Sequence, residues 1–151
     1  MNTYGYVSGN PLFSSDPFGL TEADVFFARY AISRMYPELT NNVDVYPSPL
    51  LQYTPWDGYA LGESITIESK YAEKCLNEQE KEDLKNVLLH EYLHVYLNRQ
   101  IGAINYLYQD TISSGQLHDW VREKSAKIRG YWNRTVPIGT PKPVLTDFPK
   151  R

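Results

Sequence analysis

At 151 residues the chain has the length of one domain and can bury a core of its own. Hydrophobic residues make up 42% and charged residues 22%, with a net charge of -3, so it reads as a soluble globular protein. It has no basic run to engage nucleic acid, and no apolar stretch approaches the ~20 residues of a membrane-crossing helix. A single cysteine, Cys75, excludes an internal disulfide framework and a Cys-rich zinc knuckle, so any metal site must use His, Asp and Glu.

Residues 1–20 are rich in Gly, Asn, Ser and Pro and end in "SDPFGL", a composition that makes no core of its own. The opening "MNTYGYVSGN" lacks the positive start and apolar run of a signal peptide. The character changes at Thr21. That residue suits an N-cap, acids follow it, and Val25, Phe26, Ala28, Ile32, Met35 and Tyr36 recur at helical spacing until Pro37 stops the run. A segment punctuated by Pro and Gly comes next. Its clearest element is "SITIES", where Ile65 and Ile67 alternate with polar residues as in a half-buried strand, and "VDVY" is a weaker strand candidate. From Cys75 to Gly102 the pattern predicts one long helix. Asn77 and Glu80 form a capping-box pair, acids crowd the first turns, Arg99 lies near the end and Gly102 provides the stop. Further helices are expected within 103–112 and from about Leu117 to Tyr131, with "SSGQ" as a loop between them. The Pro-rich tail after Asn133 is expected to be extended.

Inside the long helix stands "NVLLHEYLHVYLNR". Residues four apart share a helix face, so His90 and His94 present two imidazoles to one ion. Glu91, one step round, reaches a water on that ion without being a ligand. Peptide hydrolysis needs this set: zinc acidifies the water and polarises the carbonyl, and a carboxylate takes and relays the proton. Leu88, Leu89, Leu93 and Val95 surround the motif, and burying two histidines and a glutamate among them without a common partner would be costly.

Catalytic zinc usually takes three protein ligands and leaves one position for water. His118, the remaining histidine, opens "LHDWVREKSAKI" and is the first choice for the third ligand, with Glu123 on the same expected helix as its rival. If His90, His94, His118 and Glu123 all bound, the zinc would be structural and the chain a non-catalytic binding module. A zinc amidase acting on cell wall is a further reading, because the ligands alone do not name the substrate. Tyr131 and Tyr96 are candidate electrophilic helpers for an oxyanion.

The order "GYALGESITIESKY", "LLHEYLHVYL", "SGQLHDWVREKSAKI" resembles the SprT-like zinc peptidases, over roughly residues 58–131. The resemblance implies an α+β, zincin-like fold, a small sheet carrying an active-site helix and packing helices. Zn2+ would be held by His90, His94 and His118, with Glu91 as general base. Trp120 matches the aromatic residue that follows the family's third histidine closely, whereas Asp119 stands where the family usually has Gly. In zincin folds the substrate adds to an edge strand, and "SITIES" is the expected cradle.

A second resemblance lies in "NTYGYVSGNPLFSSDPFGL", similar to the end of the Rhs repeat-associated core; Pro11, Asp16, Pro17, Gly19 and Leu20 fill its pattern. It implies a division into 1–20, the end of the core with its processing motif (Asp16, Pro17, Gly19, Leu20), and 21–151, a zinc metallopeptidase toxin domain. Asp16 would then belong to self-cleavage and not to the peptidase. Such toxins serve competition between bacteria. The expected partners are the Rhs core shell, a cognate immunity protein and a protein substrate in the target cell. Delivery would need no signal peptide, with the recipient cytoplasm as destination.

Overall fold

The computed structural model describes residues 19–102, 104–106 and 115–148, with the backbone alone for 19–22. Among these residues the architecture is α+β. Helix α1 (Gly19–Met35) leads through the one-turn α2 (Pro37–Thr40) into strand β1 (Asp44–Ser48). A 3-10 turn at Pro49–Tyr53 precedes β2 (Gly58–Leu61) and β3 (Ser64–Glu68). The short α3 (Lys70–Glu73), the long α4 (Glu78–Ile101) and α5 (Gln116–Trp132) complete the order.

The α1 stripe behaves as its spacing predicts at Ala28, Ile32 and Tyr36, which are buried, while Val25 and Met35 pack partly against the core. Phe26 does not: it is 62% exposed, stacked on Tyr30 and edge-on to Phe27. Two residues from Ala28 on a helix means about 200° round the axis, so both cannot face inward. The helix also starts at Gly19, two residues ahead of the N-cap expected at Thr21.

Helix α4 follows the sequence closely. Asn77 Oδ1 accepts from the Glu80 N–H at 2.8 Å, and the Asn77 N–H donates to Glu80 Oε2 at 3.0 Å. At the far end Gly102 has φ 83° and its N–H bonds the Asn98 carbonyl, the left-handed stop that glycine adopts without strain. Leu84, Leu88, Leu89, Tyr92, Leu93 and Leu97 are fully buried, so α4 is the spine of the core.

The sheet order is β1-β3-β2, with β1 and β3 parallel and β3 and β2 antiparallel. "SITIES" is therefore the central strand and not an edge; Ile65 and Ile67 are fully buried. The segment therefore cannot be the edge cradle expected of it, and β2 is an edge of the sheet. The "GYAL" of β2 packs on α4 because Gly58 carries no side chain: a Cβ there would sit 2.9 Å from Val87 Cγ1 and 3.3 Å from Glu91 Cγ. The opposite edge, β1, contains Pro47, which cannot donate to an added strand.

The Pro-rich tail after α5 is extended but tied down. Tyr36 Oη donates to the Pro143 carbonyl at 2.7 Å, Leu145 is buried, and Phe148 packs edge-on against Trp120. Lys124 of α5, almost fully buried, donates to the Val144 carbonyl and to both carboxylate oxygens of Asp147. No described helix is long and apolar enough to cross a membrane.

Candidate metal centre

The α4 helix sets His90 and His94 one turn apart, and their Nε2 atoms converge to 3.1 Å. Helix α5 crosses that face and brings in His118 from its first turn, entered through Gly115 at φ 83°. The His118 ring centroid lies 5.2 Å from those of both other histidines. One donor nitrogen from each of the three lies within 4.8 Å of the other two.

The set fits zinc on the chemistry of its donors. Zn–N bonds of about 2.0–2.1 Å in a tetrahedral shell put neighbouring donors about 3.3 Å apart, close to the His90–His94 spacing. A modest side-chain rotation of His118 covers the rest. Burial, with the His118 charge adding to it, holds His90 down at about 4; burial with the charges of His90 and His118 holds His94 down at about 3. Both are therefore neutral imidazoles at pH 7, the form that binds metal. The Tyr106 hydroxyl meets His94 Nδ1, which fixes that ring and leaves Nε2 facing the other histidines.

Glu123 is turned away. It pairs with Lys127 and is 66% exposed on its side chain. Five residues separate it from His118, about 140° round the helix, so one straight α5 cannot offer both to the same ion. The four-ligand structural shell built on Glu123 fails on that geometry. Among the described residues the three histidines are the donor cluster that could hold a metal.

Glu91 is 7% exposed and burial pushes its carboxyl up to about 7, with the backbone N–H of Ala60 pulling it back. That hydrogen bond ties Glu91 to β2. In an antiparallel pair, alternate residues direct their backbone groups away from the partner. Ala60 belongs to the outward set, while Asp57 faces inward and accepts from the Glu68 N–H. The free edge of β2 thus borders a cleft of about 490 Å³ lined by Gly58 to Gly62, the three histidines, Glu91, Tyr106 and Arg122.

Neither Tyr96 nor Tyr131 borders this cleft. Tyr96 is buried in the core, and Tyr131 lies close enough to Tyr36 to raise its pKa. Tyr106 does border it, from a segment whose sequence shows no motif. Of the N-terminal processing residues, Gly19 and Leu20 form the first turn of α1, and Asp16 and Pro17 lie outside the described residues. Cys75 is exposed and free, remote from the cleft.

Comparison with known proteins returns no relative: no family model, no curated protein and no solved structure matches the chain.

Proposed function

We propose that this protein is a zinc-dependent metallopeptidase. It would act as the toxic effector domain of an Rhs protein, delivered into a competing bacterium and held in check at home by a cognate immunity protein. The observation that carries the enzymatic reading is the meeting, in one cleft, of a three-histidine donor set with a buried carboxylate and the outer edge of a strand. The toxin context rests on the motif in residues 2–20.

His90, His94 and His118 would hold the zinc, which would supply a Lewis acid to acidify a water and polarise a carbonyl. Glu91 would accept the proton and pass it to the leaving amine, a role its place beside the three histidines in the cleft allows. The Gly58 backbone and the Ala60 carbonyl, which face outward, hold the substrate as an added strand, which lays successive peptide bonds past Glu91. Tyr106 keeps His94 oriented through its contact with Nδ1.

The test is zinc content per chain, followed by cleavage of an unfolded protein such as casein. One zinc per chain and metal-dependent cleavage are expected. Zinc without hydrolysis of any peptide would leave a metal-stabilised binding module, and a chain that takes up no zinc would sink the reading.

A further inference from the structure

A second groove of about 330 Å³ continues the cleft beyond His90, between the start of β2, the α4 turn before the motif and the far half of α5. It shares His90 and Glu91 with the main cleft, so whatever occupies it lies beside the reacting bond. Arg129 forms its wall, and Nε of that arginine is buried with no hydrogen-bond partner. Among the described residues no carboxylate forms an ion pair with its guanidinium. Asp57, at the groove rim, is engaged by Lys70 at 2.5 Å. Asp83, which borders the adjoining groove together with Arg129, accepts from Gln79 at 3.0 Å. Across the groove, Asn86 Oδ1 is likewise buried and unpartnered.

Helix phase explains the placement. His118, Arg122, Ser125 and Arg129 are spaced 4, 3 and 4 apart and make one stripe of α5 towards the cleft. A buried guanidinium N–H without a partner is costly unless a ligand completes it. A carboxylate suits its planar fork of donors, and a peptide N–H suits the orphaned amide oxygen of Asn86.

We propose that this groove is a specificity subsite for an acidic residue of the substrate next to the cleaved bond, with Arg129 binding the carboxylate and Asn86 accepting from the substrate backbone. The proposal deepens the peptidase reading and rests on it for the word "cleaved". The subsite itself needs only the folded, zinc-loaded chain.

The experiment pairs two measurements on the zinc-loaded protein. In the first, peptides from a trypsin-digested bacterial lysate are incubated with it and the new termini are read by mass spectrometry. Enrichment of Glu and Asp at one position beside the cleaved bond is expected. Arg129→Gln should abolish the enrichment, Arg129→Lys retain part of it, and Arg129→Glu turn it towards Lys and Arg. In the second, a short peptide containing Glu and its Gln counterpart are titrated against the Glu91→Gln protein, with about tenfold tighter binding of the Glu peptide expected, a margin that disappears when Arg129→Gln is added. Zinc content and circular dichroism establish that each variant is folded. Cleavage without acidic preference overturns the subsite and leaves the peptidase standing. Discrimination of Glu from Gln by a chain that cleaves nothing supports the subsite and overturns the peptidase. Absence of both overturns the two together.

Discussion

Glu91 and His118 carry the sharpest tests at the scale of single residues. Glu91→Gln keeps shape and hydrogen bonding but cannot take a proton. Zinc content should stay near the wild-type value while hydrolysis falls about 10²–10⁴-fold, the usual contribution of a general base. Expression of the same variant in a bacterial cytoplasm should no longer slow growth. Retained toxicity would mean that another group does the chemistry. His118→Ala should cost most of the bound zinc, measured by elemental analysis after desalting, because two imidazoles on one helix are a weak site alone. His90, Glu91 and His94 were legible in the sequence because their geometry is local, set by a helix whose phase any reader can draw. The choice between His118 and Glu123 was half legible: helix phase forbids both together, but which one meets α4 depends on how α5 crosses it. Tyr106 was not legible at all. Its role comes from a contact to His94, and nothing about a tyrosine twelve residues on from a histidine announces that contact.

The β2 strand shows, at the level of elements, where periodicity stops being informative. "SITIES" alternates as a half-buried strand should, and it is one, but alternation reports faces and not neighbours. Whether a strand is central or at an edge is decided by its partners, here β1 in parallel from beyond the 3-10 turn and β2 across a tight turn at Gly62. "GYAL" is too short and too mixed to stand out. Its importance lies in the close approach that Gly58 permits. Gly58→Val would force β2 off α4, break the Ala60 hydrogen bond to Glu91 and overpack against Val87, at about 1–3 kcal/mol. Thermal unfolding should show the lowered midpoint, and cleavage should fall further than stability alone explains. A midpoint and activity equal to wild type would show that β2 does not position the base.

The whole molecule is closed by its tail. The sequence predicted an extended tail but gave no sign of what it covers, because the partners of Asp147 and Phe148 are Lys124 and Trp120 of α5. Lys124 is the pivot of this clasp. Partial burial pushes the Asp147 carboxyl up, but the hydrogen bonds and charge of Lys124 overcome that and hold it below its ordinary range. A carboxyl lowered on folding adds stability that is full above its unfolded pKa and is lost as pH falls through the folded value. Stability should therefore drop below about pH 4, and Asp147→Asn should remove part of that acid dependence. The same substitution leaves the buried ammonium without its counter-charge, at a cost of about 2 kcal/mol near neutrality, discounted because Asp147 is half exposed. Denaturant melts of the two proteins at pH 7 and pH 3 measure both effects.

The clasp also sets an order of events during synthesis. His90 and His118 leave the ribosome with the helices that carry them, whereas Leu145 and Phe148 come later and cover apolar surface on elements made long before. Until that last stretch emerges, the nascent domain carries a complete set of histidines on an unfinished core. A chain cut short near residue 140 would keep His90, Glu91, His94 and His118 and lack the clasp that Lys124 makes with Val144 and Asp147.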